Sequence, residues 1–598
     1  MNAWEELPQF SKELYKATYF HENDDYESWS HRVSHKYAND ENHGNRLKMY
    51  IQKRWFHPST PIASDRGLPI ACYVSHVGDS NESIFDSYHE GAWLGALGGG
   101  RGVYWGDVGS QGRPIGKYSK DLTWREIQSN PDIPKSPGVI PFLGVSDRAT
   151  YAISQAGTRR STEAAYMPVY HADIIPFKDI RLETGSRDRR MPNLHHGIAI
   201  TDAFMEAVKN LQPWDLIEPH TKMVVDTVDA FDLYMDILSV RKTETGEPYL
   251  LFIDTVNRDN PIEYTKEGYL VYSSNICTEI VGATAPDLTA VCCLASLNLE
   301  QWDEYEDSIE QVVKDVSDYL SNVLIHTVRE TKHRPEFARV RKFIEETMEI
   351  GIGVMGLGSL FQKRNIPFES PMAKGLNSQI MTAIKNASDK VQREIEEDER
   401  CLLSIKHGTH KRNLHSLAIA PTMSISTLSG LCSSGVEPWV ANSFTKKVPT
   451  GSYTIRNKYL VQLINETALT DVGMPGDKWI EEQWKLINKA GGSVQHVYWM
   501  TDYDKDVFKT AFEIDQRTII GLAADRQKIM VNEQSQSINL FMPAEVTYEE
   551  LYTVHMMAWE EGLKSLYYLR SEPAVQADVA NKERQAITLE DDVCVACT

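Results

Sequence analysis

No stretch of roughly eighteen consecutive apolar residues occurs, so no segment is expected to cross a bilayer as a helix. Cysteine is sparse, eight in 598 residues, which excludes a disulfide-built scaffold and leaves each thiol reduced unless it does chemistry. The start, Met1 to Pro8, lacks the basic lead and apolar core of a secretory signal, so a cytoplasmic location is expected. Positive charge is also short. Against 84 Asp and Glu stand 62 Lys and Arg, a net charge of −22 that repels a phosphate backbone at long range and argues against a nucleic-acid binder, whose footprint would be a basic face. A small nucleotide is not excluded, because local amides, hydroxyls and a Mg²⁺ ion can outweigh the global field. No internal repeat is present, and 41% hydrophobic with 24% charged residues is the balance of an ordinary folded protein.

Polar, helix-favouring sequence runs from Trp4 to Phe20 and from Tyr26 to Lys53, ahead of the turn signal His57-Pro58-Ser59-Thr60-Pro61. Residues 1–56 therefore read as a small helical region. From there to residue 570, short apolar runs such as Tyr249 to Ile253 and Ser416 to Ala420 alternate with amphipathic stretches such as Asp307 to Val328, the pattern of an α/β body. Gly98 to Gly102 and Ser154 to Glu163 read as loops. Residues 571–598 are charged and poor in aromatics, as in a mobile tail. Gly351-Ile352-Gly353-Val354-Met355-Gly356 satisfies GxGxxG, but it follows helix-favouring sequence and lacks a placed acidic partner. Close backbone packing explains it better than a dinucleotide.

Asn275, Cys277 and Glu279 stand at i, i+2 and i+4. On an extended backbone all three point to one face, bringing together an amide, a thiol and a carboxylate. Alone, the pattern fits a half-buried strand equally well. Cys292 and Cys293 follow soon after, in Ala290 to Leu299.

These two segments together resemble the catalytic core of ribonucleotide reductase large subunits. The resemblance extends through Thr243 to Tyr249 with Asp254 and Asn257, Gly353 to Gly358, Ala420 to Ser426 and Gly562 to Arg570, in order over residues 57–598. It implies a ten-stranded α/β barrel of two parallel five-stranded halves over residues 57–570, with the Cys277 loop inside. It further implies that Cys277 is the thiyl radical that takes the 3′-hydrogen of the ribose. Glu279 would accept the 3′-hydroxyl proton, Asn275 would orient the sugar, and Cys72 would protonate the leaving 2′-hydroxyl. The reducing partner of Cys72 is then Cys292, while Cys293, an extra thiol in the family pattern, points to the opposite face of a strand.

The resemblance also places substrate contacts at Thr60, at Ala71, where many relatives have serine, and at Pro421, Thr422, Met423, Ser424 and Ile425, which offer hydroxyls and backbone amides to phosphates. Tyr567 and Tyr568 match the adjacent tyrosines through which class I members receive a radical from a separate metal-bearing small subunit. On a regular strand the two rings would face opposite sides, so a relay requires a local irregularity there. The family carries no tightly bound cofactor in this chain. Its nucleotide effectors, ATP or dNTPs with Mg²⁺, would contact Asp79 and Ser80, with Gln155 and Arg159 on the loop that signals to the base. The stretch Trp105 to Arg113 departs from the family's arginine-bearing pattern, and the region before Thr60 is too short for a separate activity domain.

Cys594 and Cys597 form a CxxC that reads as a redox shuttle, since no second ligand pair supports a zinc site. A flexible tail of about 25 residues reaches roughly 28 Å. The expected partners are the small subunit, a second copy of the chain, thioredoxin or glutaredoxin, and ribonucleoside diphosphates, with neither nucleic acid nor membrane. The alternatives are a cobalamin-dependent reductase of the same barrel, which needs no Tyr567-Tyr568 pair, and a silent scaffold, which would have lost the catalytic cysteines.

Overall fold

The computed structural model describes residues 3–116, 121–153, 161–184, 186–243, 245–395, 400–448, 451–470 and 476–572. Nine strands form its main sheet. They are β1 (Phe56–Pro58), β2 (Cys72–His76), β3 (Gly100–Tyr104), β4 (Thr162–Pro168), β5 (Leu194–Ile200), β6 (Tyr249–Phe252), β7 (Ala290–Asn298), β8 (Ile350–Met355) and β9 (Ser565–Leu566). Strands β2 to β6 run parallel in sequence order. At one end of this set β7 joins β2 antiparallel, and at the other β9 joins β6 antiparallel. Beyond its β2 contact, β7 pairs with β8 in parallel and with β1 antiparallel.

From β8 the sheet continues through single parallel bridges, Ile352 with Leu417 and Ile419 with Gln536. The amides of Tyr567 and Leu540 then donate to Ile538 and Tyr568 carbonyls, carrying the pairing towards β9. The result is an α/β fold with a strongly curled sheet. All nine residues of β7 are buried, which explains its unbroken run of apolar and small residues: a strand covered on both faces has no polar side to alternate with. The amphipathic helix Ile309–Glu330 lies across β7 and β8, as the stretch Asp307 to Val328 predicts.

Gly98 to Gly102, expected as a loop, instead enters strand β3 at Gly100. Glycine is a poor strand former, but here the close approach of another chain segment requires it. A Cβ on Gly102 would stand 1.7 Å from the Ser274 carbonyl oxygen. Likewise Thr162 and Glu163 open strand β4 rather than a loop. Gly351 and Gly353 lie within the buried strand β8, not in a phosphate-binding turn. A Cβ on Gly351 would meet Leu294, Ala418 and the Cys292 thiol, and one on Gly353 would meet the Ala418 carbonyl at 2.4 Å. The close-packing explanation of the GxGxxG pattern is the one the contacts support. Ser416 to Ala420 is irregular backbone making isolated bridges.

The amino-terminal region is helical as expected, with helices Tyr26–His35 and Glu41–Gln52 capped by Asp25 and Asp40. It packs against the body through Asp315, which accepts from Arg46 at 2.7 and 2.8 Å and from the Tyr50 hydroxyl at 2.9 Å. Ser571 closes a short strand, Leu569–Ser571. Among the described residues no helix is long and apolar enough to cross a membrane.

Candidate active site

The segment from Asn275 to Glu279 is not extended. Ile276 and Cys277 form a turn, and Thr278 adopts a left-handed backbone with φ of 68°. That conformation is costly for a β-branched residue and persists only where the surroundings impose it. Here Ser565 Oγ donates to the Thr278 carbonyl at 3.0 Å, and Ser535 N donates to the Glu279 carbonyl at 2.8 Å. Asn275 folds back over the turn, its Oδ1 accepting from Ile280 N at 3.1 Å, and the Tyr166 hydroxyl donates to the Asn275 carbonyl at 2.7 Å. The extended reading failed because these contacts come from distant strands and leave no local period.

The turn still delivers the expected groups to one buried place. Asn275 Nδ2 lies 3.3 Å from Cys72 Sγ, and Cys72 Sγ lies 4.0 Å from Glu279 Oε1. Ser537 Oγ donates to Glu279 Oε2 at 3.2 Å. Burial pushes the Glu279 carboxyl up to about 7, against the pull of hydrogen bonds from Asn275, its own backbone amide and Ser537. Ser537 was not foreseen; one serine in Ser535-Gln536-Ser537 carries no distinguishing signal.

Cys72 on β2 and Cys292 on β7 are directly opposed cross-strand partners. Directly opposed Cα atoms of an antiparallel pair lie about 4.5–5.5 Å apart, within the span a disulfide bridges. Both side chains are fully buried. Burial drives the Cys292 thiol well above its usual value, with Glu349 and neighbouring thiols adding to the effect. Cys293 is raised too, chiefly by burial, and it lies by Tyr37 and Tyr319 on the helical layer, the outward placement expected of it.

Cys277 Sγ lies 3.3 Å from the Tyr567 hydroxyl. Tyr567 and Tyr568 lie between β9 and the strand Leu569–Ser571, where Tyr567 N donates to the Ile538 carbonyl and Tyr568 N donates to the Asn539 side chain instead of a backbone carbonyl, an irregularity of the kind expected there. Their ring centroids are 4.2 Å apart at 53°. Arg570 lies over the Tyr568 ring at 4.0 Å, and the Tyr568 hydroxyl is 3.3 Å from His195 Nδ1. His195 in turn lies 2.7 Å from Glu247 Oε1. Neither was among the expected site residues: His195 sits in an ordinary local sequence, and Glu247 lies within the Thr243 to Tyr249 match with no role attached to it.

Pro421 and Thr422 are buried, and Thr422, with φ of 53°, opens the helix Met423–Leu428, so Met423, Ser424 and Ile425 present first-turn amides. Thr422 Oγ1 accepts from Gly435 N at 2.7 Å. Thr60 Oγ1 meets the Tyr19 hydroxyl at 2.9 Å, while Ser11 and Tyr15 of the same amino-terminal segment donate to the carbonyls of Thr427 and Leu428. Ala71 is buried beside β2, its carbonyl accepting from Gly100 N at 2.8 Å.

Asp79 Oδ1 accepts from Gly109 N at 2.7 Å, and its Oδ2 meets Arg113 and, at 3.2 Å, His220. Ser80 caps the helix Asn81–Ala96. Gln155, Arg159, Cys594 and Cys597 lie outside the described residues.

Comparison with known proteins agrees with this geometry. Residues 70–400 and 393–569 match the ribonucleotide reductase barrel domain. The chain is 37% identical over 530 residues to the putative ribonucleoside-diphosphate reductase large subunit of Frog virus 3 (isolate Goorha), covering 88% of this chain and 87% of that protein. It is 32% identical over 603 residues to the ribonucleoside-diphosphate reductase large subunit of Invertebrate iridescent virus 3, with 90% of each covered. The solved class Id ribonucleotide reductase alpha subunit of Actinobacillus ureae superposes with a TM-score of 0.79 at 29% identity, over 97% of this chain and 100% of that one. The chain therefore belongs to the ribonucleotide reductase large-subunit family.

Proposed function

We propose that Cys277 carries the thiyl radical by which this oxidoreductase reduces ribonucleoside diphosphates to 2′-deoxyribonucleotides, with Cys72 and Cys292 supplying the two electrons. The observation that carries the reading is the opposed Cys72–Cys292 pair directly beneath Asn275 and Glu279. The Cys277 radical takes the 3′-hydrogen and becomes a thiol, while Glu279 takes the 3′-hydroxyl proton. Cys72 then protonates the departing 2′-hydroxyl, which leaves as water. Cys72 and Cys292 form a disulfide as their two electrons pass to the sugar and the Cys292 hydrogen goes to C2′; Glu279 gives its proton back to the 3′-oxygen, and Cys277 returns the 3′-hydrogen. Asn275 touches both Cys72 and the Glu279 carboxyl, so it orients the acid and the base together.

The phosphates are taken by Thr60 and by the Thr422 to Ile425 amides and hydroxyls beside Pro421. Tyr567 and Tyr568 link Cys277 to a metal-bearing small subunit, whose role is to generate the radical. The 1–56, 57–570 and 571–598 division belongs to the same proposal. So does the ten-stranded count, supported by counting the bridged segments 416–420 and 534–542 as strands between β8 and the Ser565–Ser571 pair of strands. Cys594 and Cys597 relay reducing equivalents from thioredoxin or glutaredoxin in the cytoplasm. ATP or dNTP effectors with Mg²⁺ bind at Asp79 and Ser80. A second copy docks on helices Asn81–Ala96 and Val139–Ala152, which pack together and expose Phe85, Trp93, Val145 and Tyr151.

The test is Cys277→Ser in the full chain with its small subunit. Turnover should vanish while folding and nucleotide binding persist, because sulfur to oxygen alters hydrogen-atom chemistry more than volume. Product formation at the native rate would rule the radical assignment out.

A further inference from the structure

The interior face of β5 puts a histidine against the outer tyrosine of the pair. His195, Gly197 and Ala199 alternate with His196, Ile198 and Ile200, and the two histidines part company. His196 turns outward, its Nε2 lying 3.0 Å from the Lys178 carbonyl and its ring against Phe177. His195 turns inward, towards Tyr249 and Tyr568.

One nitrogen of His195 faces two oxygens. Nδ1 is 2.7 Å from Glu247 Oε1 and 3.3 Å from the Tyr568 hydroxyl. Glu247 is itself fixed: its Oε2 accepts from His196 N at 3.0 Å and lies 3.2 Å from His196 Nδ1, with Arg181 3.9 Å from Oε1. Burial alone pushes the Glu247 carboxyl up, but Arg181 and the two histidines outweigh it and hold the group well below the usual carboxylate range. A carboxylate anion at 2.7 Å requires a hydrogen on Nδ1. The Tyr568 oxygen therefore meets an N–H, and its own hydrogen must point elsewhere.

We propose that His195, its tautomer fixed by Glu247, shares its single Nδ1 hydrogen between the Glu247 carboxylate at 2.7 Å and the Tyr568 hydroxyl oxygen at 3.3 Å, and so holds that tyrosine in the geometry for hydrogen-atom exchange with Tyr567. The inference rests on the Tyr567-Tyr568 pair being the radical route. When Tyr568 carries an oxygen-centred radical, that oxygen is an acceptor alone, and the His195 N–H satisfies it. A hydrogen atom, one electron with one proton, then moves from the Tyr567 hydroxyl to Tyr568. Its O–H bond forms as that of Tyr567 breaks. The Tyr567 radical takes a hydrogen atom from Cys277, 3.3 Å away, and leaves the thiyl radical. His195 keeps its proton and its electrons throughout. The ring of Tyr568 is gripped by Arg570 and Tyr249, and the histidine grips the hydroxyl end.

The experiment uses the full chain with its small subunit. His195→Leu should lower kcat about ten-fold or more, the scale of one hydrogen bond to a developing radical or charge, and leave the substrate KM within two-fold. His195→Gln, which can offer an amide N–H, should recover most of the rate. With 3-aminotyrosine placed at position 568 as a radical trap, pulsed EPR in D₂O should show an exchangeable deuteron hydrogen-bonded to the radical oxygen. The coupling should be absent with His195→Leu. Glu247→Gln turns an NH₂ towards Nδ1, converts that nitrogen to an acceptor and should cost a similar factor. If His195→Leu does not fold, the Gln variants at 195 and 247 decide the matter. Native kcat in the folded Leu variant, an unchanged deuteron coupling, or native kcat in Glu247→Gln overturns the role of His195. Tyr568→Phe tests the underlying route separately: native turnover there removes the route itself, whereas an inactive Tyr568→Phe beside a fully active His195→Leu removes only the histidine.

Discussion

Cys72 and Cys292 are directly opposed across the antiparallel junction of β2 and β7, and both thiols are buried. On the proposed mechanism they become a disulfide in each turnover, and a protein reductant is too bulky to reach them.

Reduction must then pass through Cys594 and Cys597. The double variant Cys594→Ser/Cys597→Ser should give about one burst of product from its prereduced state and stall with thioredoxin-like reductants. A small dithiol that diffuses inward should partly restore cycling, since exchange depends on access as well as thiolate fraction. Product measured by rapid quench decides the point. Steady multiple turnover with a protein reductant would show that electrons take another route, and loss of stability without a burst would indicate a structural metal site instead.

Glu279 carries a pH signature. Its carboxyl is pushed from 4.5 to about 7 by burial, so the folded chain binds that proton more tightly than the unfolded chain. The stability cost is absent below pH 4.5, grows as pH rises and is complete above pH 7. At about 1.4 kcal/mol per unit the cost is on the order of 3 kcal/mol. Glu279→Gln should therefore gain stability relative to the native chain between pH 5 and 8 while losing turnover. Melting curves at the two pH values check this; a gap that does not widen refutes it.

Gly102→Ala should displace the catalytic turn. Its Cβ would overlap the Ser274 carbonyl, a backbone atom that no rotamer change can move away. We expect about 1–3 kcal/mol of destabilisation and a large fall in kcat. Gly375→Ala, on a helix face with nothing within 4 Å, is the control and should be stabilising by about 0.5–1 kcal/mol. Equal behaviour of the two variants would contradict the packing argument.

The exposed face of Phe85, Trp93, Val145 and Tyr151 should be covered by a second copy. Sedimentation of the native chain at micromolar concentration should show a dimer, and Phe85→Glu/Tyr151→Glu a monomer of unchanged melting behaviour. A native monomer removes this face from consideration.

The sequence disclosed elements whose signal is local. Tyr249 to Ile253 is an apolar run and forms a strand; Asp307 to Val328 has helical period and forms a helix. The thiols, Asn275 and Glu279 were legible as a family motif, and the geometry gathers Cys72, Asn275, Glu279 and Cys292. What escaped depends on contacts between distant segments. Gly100 to Gly102 reads as a loop because glycine disfavours strands, yet it is a strand because Ser274 leaves no room for a side chain. The turn at Thr278 is imposed by Ser535 and Ser565, not by its own residues. His195 meets Tyr568 across 373 residues of chain, a pairing with no periodic trace.

The antiparallel seam between β2 and β7 also has a mechanical meaning. It is where the parallel set β2 to β6 meets the set that begins with β7, fastened by the antiparallel backbone pairing. Oxidation of Cys72 and Cys292 adds a covalent staple at this line. On the proposed mechanism each catalytic cycle laces and unlaces the wall of its own chamber, so the stiffness of the seam would report how many electrons the enzyme still holds.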